Sequence, residues 1–216
     1  MHLWAPRYIS TRPSSRRGFT LVELLVVVSL IAVFAFFTVP VVHGLSKAGR
    51  RYASVTKLAR ALEQARSYSL ASGTRSRVAF CDSLEAGGRY RLRSYAIFEE
   101  DPELETSLIR GQWHLLDEGC IFRNEQDDLL APGRARADFQ FLPEGKTLSL
   151  PYIEFDELGR VTEPRNADHC SVDIVEGFLT NNTLQTMGET SSHRLTIARS
   201  TGRVRTSEVI DSQKLE

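Results

Sequence analysis

The sequence predicts an α+β fold, with one long N-terminal helix packed against an antiparallel β-sheet head. Three observations predict it. From Leu24 to Val42 only Ser29, Thr38 and Pro40 interrupt a run of Ala, Val, Leu, Ile and Phe. From Leu45 to Ala65 apolar residues recur at three- and four-residue steps, the period of one helix face. Beyond Gly73 the pattern changes to short segments of alternating apolar and polar residues, the period of a strand.

The apolar run sets the first boundary. About 19 residues at about 1.5 Å each come close to the ~30 Å hydrocarbon core of a bilayer. A signal-peptide core is only about 7–15 residues long and ends in a small-x-small cleavage site, which does not follow here. The segment is therefore expected to cross a membrane once and to stay there. Arg7, Arg12, Arg16 and Arg17 precede it with no acidic residue among them, and such basic flanks remain on the cytoplasmic side. The formal net charge of the 216 residues is zero, but the charges are unevenly spread. His43 to Phe80 holds 8 Lys/Arg against the single acid Glu63, whereas Cys81 onward holds 25 acids against 15 bases. The expected molecule has a basic stem and an acidic head. Side-by-side subunits would set one against the other, although a solvated charged surface needs no partner.

Glu23 stands out in this segment. A carboxylate at the edge of a spanning helix costs several kcal/mol unless it is paired, which marks it for function. Its setting, Arg16-Arg17-Gly18-Phe19-Thr20-Leu21-Val22-Glu23-Leu24-Leu25, resembles the cleavage and methylation signature of type IV prepilins and type II secretion pseudopilins. The resemblance implies that a prepilin peptidase cuts after Gly18, that the new N-terminal Phe19 is methylated, and that Glu23 at the fifth mature position serves subunit incorporation. Pro40 falls where family members often carry a helix-bending proline, and a proline inside a helix removes one hydrogen bond and crowds the preceding turn. The implied organisation is a cleaved cytoplasmic leader (1–18), a transmembrane half-helix (19–42), an amphipathic half-helix (43–72) and a β-rich head (73–216). The implied location is the bacterial inner membrane with the head in the periplasm. The implied partners are the peptidase and methyltransferase and other pilin or pseudopilin subunits. Such a protein is a substrate of enzymes rather than an enzyme, and it needs no cofactor.

Past the membrane segment, Leu45, Ala48, Tyr52, Val55, Leu58, Ala59, Leu62 and Ala65 form the apolar stripe of an amphipathic helix, with Lys47, Arg50, Arg51, Lys57 and Arg60 largely off it. Leu62→Asp is therefore expected to unfold the head and Lys57→Asp to be tolerated. Gly73 reads as the residue that stops the helix after Ser72. Strands are expected at Ser76–Phe80, Tyr90–Phe98 (after a Gly87-Gly88 turn), Gln112–Leu116, Cys120–Arg123, Phe139–Leu142 and Leu148–Phe155. Acidic or Gly/Pro-rich stretches separate them at Glu99–Glu105, Asn124–Asp128, Ala131–Gly133 and Pro143–Gly145. Phe155–Val161 reads as strand, turn and strand. Asp173–Leu179 is ambiguous, Asn181–Ser192 reads as an exposed loop, and Arg194–Arg199 with Gly202–Val209 closes the chain as a hairpin.

Within the prepilin family the head is most similar to small minor pseudopilins of the GspH/FimT kind. Three segments carry that likeness: Ala65-Arg66-Ser67-Tyr68 leading to Arg77-Val78-Ala79-Phe80, the Phe155–Val161 unit, and Thr196 to Arg205. Gly202-Arg203-Val204-Arg205 also resembles a GRxR motif linked to DNA binding in FimT-like pilins. The resemblance implies an alternative role in DNA uptake, with Arg194, Arg199, Arg203 and Arg205 on phosphates, the groups that dominate non-specific affinity. The acidic head and the ordinary structural use of a Gly-Arg turn weigh against nucleic acid as the partner.

Other chemistry finds little support. Cys81, Cys120 and Cys170 lack zinc or CxxC spacing; they are either one disulfide with a free thiol or three small buried hydrophobes. Asp168-His169-Cys170 is an isolated triplet that cannot converge on one atom unaided, and His114 and His193 stand alone. No phosphate-binding glycine loop or metal spacing is present.

Overall fold

The computed structural model describes residues 19–101, 106–123, 130, 134–165, 169–180, 183–186 and 191–210, except for the side chains of 35–48, 101, 106, 169, 184, 191 and 210. The chain divides into two units, Met1–Gly44 and Leu45–Glu216.

The described part of the first unit is the start of helix α1 (Leu21–Ser72). Every residue from Phe19 to Phe34 is exposed, including Leu21 and Phe34. Among the described residues no helix is long and apolar enough to cross a membrane. The apolar run Leu24–Val42 extends into positions whose side chains lie outside the description.

In the second unit α1 continues as an amphipathic spine. Its buried residues are Ser54, Val55, Leu58, Ala61, Leu62, Ala65 and Ser69, spaced by three and four. Tyr52 departs from the expected stripe: it is 66% exposed, two residues before the buried face begins at Ser54. Leu45 and Ala48 lie outside the described side chains. Gly73 ends the helix as expected, with φ of 64° and its N–H bonded to the Ser69 carbonyl at 3.0 Å.

The strands follow as β1 (Ser76–Phe80), β2 (Ser94–Asp101), β3 (Thr106–Ile109), β4 (His114–Leu115), β5 (Cys120–Phe122), β6 (Arg136–Phe141), β7 (Lys146–Phe155), β8 (Val161–Glu163), β9 (His169–Thr180), β10 (Thr183–Thr186), β11 (Ser191–Ala198) and β12 (Val204–Ile210). A short helix, α2 (Gly87–Tyr90), lies between β1 and β2. They form two antiparallel sheets. One runs β3-β2-β1-β7-β6, with β4 on β2 and β8 on β7; the other runs β10-β9-β11-β12, with β5 on β9.

Strand periodicity places two cores. Val78 and Phe80 of β1, Tyr95 and Ile97 of β2, and Ile153 and Phe155 of β7 pack with the α1 stripe. Phe122, Val172, Ile174, Leu195 and Ile197 of the second sheet close the same cluster. The alternate residues Ala79, Ala96 and Phe98 face a second cluster with Trp113, Phe139, Phe141, Leu148 and Leu150. Burying both faces of β1 and β2 explains why their alternation is partly obscured by apolar residues at successive positions.

Several expectations need correction. Tyr90–Arg93 is not strand: Arg91 N–H bonds back to the Gly87 carbonyl, and Leu92 takes φ of 54° with its N–H on the Cys81 carbonyl. The strand therefore starts only at Ser94. Glu99–Glu105 does not begin as a separator, because β2 runs on to Asp101, with Glu99 bonded to Arg110 and Glu100 near Arg77, and pairs with β3. Gln112–Leu116 shrinks to β4. Asp173–Leu179 lies inside β9, and the expected loop after Asn181 contains β10, which pairs back onto β9 through Thr183↔Thr180. Thr-rich sequence reads as loop by composition, yet β-branched threonine fits a pleated edge well. The separators Asn124–Asp128 and Ala131–Gly133 lie outside the described residues.

Candidate functional site

At the N-terminus, Thr20 caps α1. Its Oγ1 accepts the Glu23 N–H at 3.2 Å, and Glu23 Oε2 accepts the Thr20 N–H at 3.4 Å. This reciprocal pair is a capping box: side chains satisfy backbone N–H groups that the first helical turn leaves unpaired. It also holds a carboxylate at the positive end of the helix dipole. Glu23 thus has a partner inside its own chain. Sequence reasoning missed this although Thr20-x-x-Glu23 before an apolar run is its written signal. Phe19 is exposed, Gly18 lies outside the described residues, and Pro40 falls where side chains are not described.

The four arginines expected near the C-terminus have different fates. Arg194 is bound to Asp173 by two hydrogen bonds of 2.8 Å, and Asp173 is completely buried. Arg199 donates to the Arg165 carbonyl. Arg203 and Arg205 are exposed, and among the described residues neither guanidinium has a partner. The glycine before them is structural. Gly202 has φ of 64°, and a Cβ there would stand 2.1 Å from the Gly159 carbonyl oxygen. Arg66 of α1 reaches over both turns, its Nε donating to the Thr201 carbonyl at 2.8 Å and the Gly159 carbonyl at 3.3 Å. Glu63, one turn earlier, accepts the Val204 N–H at 3.1 Å. The spine, the β7–β8 turn and the β11–β12 turn therefore meet at one clasp.

Residues 13–39 match the family model described as the prokaryotic N-terminal methylation motif. The chain carries a prokaryotic N-terminal methylation motif. No curated protein and no solved structure matches the chain. The methylation motif supports a type IV pilin-like or pseudopilin subunit, processed by a prepilin peptidase and assembled with other subunits. It covers 27 of 216 residues, all of them before the head.

Away from the methylation motif, the remaining candidates disperse. All three cysteines are free and buried, Cys81 in the second cluster and Cys120 and Cys170 in the first. Burial pushes the Cys81 thiol up to about 11 and raises Cys120 as well, so neither is a ready nucleophile. Asp168 lies outside the described residues, and no metal-holding cluster is found among the described ones. His114 is exposed and stacks on Tyr95. His193 is half-buried; desolvation and then Arg51 hold its pKa below the ordinary value. Asp117 receives bonds from Ser54 and Lys57 of α1. Burial opposes its charge, but these contacts win and hold it below the usual carboxylate value. Lys57, expected to tolerate a change to Asp, is therefore tied to the head.

Proposed function

We propose that the protein is a minor pseudopilin of the GspH/FimT type, a structural subunit of a type II secretion pseudopilus or type IV pilus-like filament. The single observation that carries this is the methylation motif, with Gly18, Phe19 and Glu23 in register. On this reading Leu24–Val42 anchors the chain in the bacterial inner membrane by a single pass, with Pro40 bending the helix and the head in the periplasm. Peptidase cleavage after Gly18 exposes the Phe19 amine, which is then methylated. Support for the GspH/FimT type comes from the head: the three segments that carry the likeness contribute Arg66, Gly159 and Gly202 to one clasp.

Glu23 then has two roles to separate. Its carboxylate caps its own helix in the isolated chain, and in a filament it meets the amine of a neighbouring subunit. Glu23→Gln separates them, because glutamine still closes a capping box but carries no charge. Glu23→Gln and Glu23→Leu are both expected to be inserted and cleaved yet absent from the filament. The readouts are intact mass of membrane-extracted protein, for cleavage at Gly18, and co-purification with other subunits. A retained leader in the wild type would sink the proposal; normal assembly of Glu23→Gln would reduce Glu23 to a helix cap.

A second reading, a DNA-binding subunit acting in DNA uptake, is favoured by the exposed Arg203 and Arg205. Arg194 fits it poorly, being engaged by buried Asp173. A salt-dependent gel shift lost in Arg203→Ala/Arg205→Ala would favour this reading.

A further inference from the structure

The head has a groove of about 800 Å³ beside the clasp, and its lining is rich in arginine. Arg75, Arg160, Arg165 and Arg199 line it, with the carboxylates of Glu154 and Asp156. The acids are already occupied. Glu154 is buried and accepts Arg77 Nε at 2.7 Å and Thr162 Oγ1 at 2.7 Å. Asp156 accepts the backbone N–H groups of Leu158 and Arg160 and the Arg160 Nε. The arginines are only partly used. Arg75 approaches Glu154 at 3.9 Å, Arg165 meets Glu163 through Nε, and Arg199 donates to the Arg165 carbonyl. A guanidinium carries five N–H donors and no acceptor, so among the described residues the groove has spare donors, while both of its carboxylates already accept hydrogen bonds from within the head. Each internal contact also orients a planar donor edge before any ligand arrives.

We infer that this groove binds a carboxylate-rich protein segment, of the kind that the acidic head of a neighbouring copy presents. A phosphate polymer fits less well, since it needs cations spaced along a track, and here Glu154, Asp156 and Glu163 sit among the arginines. A short run of carboxylates needs only local, bidentate contacts with guanidinium groups. The chain supplies such partners in quantity, with 25 acids against 15 bases from Cys81 onward. A basic groove on one copy and an acidic surface on the next make a heterologous contact, the kind that propagates into an open assembly rather than closing as a pair. The inference deepens the filament reading and rests on it.

The test uses full-length protein in detergent and a fluorescent peptide with the sequence of residues 99–105, which carries five carboxylates. Anisotropy is expected to show binding that weakens as salt rises. Arg165→Glu and Arg160→Glu should each weaken it about tenfold, Arg165→Lys much less, and Arg205→Glu on β12 not at all. Arg165 is 78% exposed, so its variants should melt like the wild type. The inference is overturned if the peptide does not bind, if Arg205→Glu weakens it as much as Arg165→Glu, or if a single-stranded oligonucleotide binds the groove more tightly. Cleavage at Gly18 is followed on the same samples. Normal cleavage without peptide binding removes only the groove proposal, whereas a retained leader with peptide binding removes the filament reading.

Discussion

The two ends of α1 give apolar residues opposite fates. Between Phe19 and Phe34 every side chain is exposed, with Leu21 at 81%, whereas Leu58 and Leu62 are fully buried some ten turns along. The first stretch carries exposed apolar residues on all sides of the helix, and on the proposed filament reading lipid or other subunits cover them. The second has one apolar stripe and finds its cover in the two sheets. Stability of the head is thus a property of the chain alone, while the state of the N-terminal stretch depends on its surroundings. Substitutions in the two regions should fail in different assays.

Leu62→Asp should break the head outright, at a cost of about 4 kcal/mol or more, because a charge would enter a site with no polar partner. Gln64→Asp on the exposed side is the control, and limited proteolysis reads both. Arg194→Ala comes next, at roughly 3 kcal/mol, since it removes the ion-pair partner of fully buried Asp173. Arg203→Ala should change stability by less than about 0.5 kcal/mol. Equal melting of these two arginine variants would show that Arg194 is not structural. Gly202→Ala should cost about 2 kcal/mol through strain at φ of 64° and the clash with the Gly159 carbonyl.

Acid should have the smallest effect near neutrality. His193 has a lowered pKa in the folded head, so the unfolded chain takes up its proton first as pH drops below about 6.5, and stability falls. Glu99, Asp117 and Asp156 act with the same sign at lower pH. Burial opposes their charge, but their hydrogen bonds hold them below the usual carboxylate values, so their contribution is lost as pH falls through those lowered values. A melting temperature that rises as pH falls from 7 to 5 would contradict the His193 assignment, and one that rises as pH falls further, below the ordinary carboxylate values, would contradict the three carboxylate assignments.

Much of the head was legible because its signals are local. Gly73 as helix stop, Ser76–Phe80, the turn before Gly159 and the closing hairpin all follow from neighbouring residues. Two of the misses come from long-range partners. Asp173 breaks the apolar pattern of β9, and nothing within that segment announces Arg194 on another strand. Leu92 adopts φ of 54° under bonds to Cys81 and Phe122, neither of them adjacent. At the functional end, the methylation motif was fully written in the sequence. The GRxR-like segment was harder to read, since its glycine is fixed by Arg66 and Gly159, far away along the chain. The capping box, the helical turn at Gly87–Tyr90 and the β9–β10 hairpin are the local features that were overlooked.

The clasp has a consequence for the order of folding. It joins residue 66 to residues 159 and 201, and its later members lie in the β11–β12 hairpin. Native contacts at large sequence separation form late, because the intervening chain must first be confined. The clasp at the end of the spine therefore cannot close until the chain has been made through residue 201. A chain truncated before Thr201 keeps the spine residues but lacks the carbonyl that Arg66 holds. Such a chain should be cut faster than the wild type in limited proteolysis.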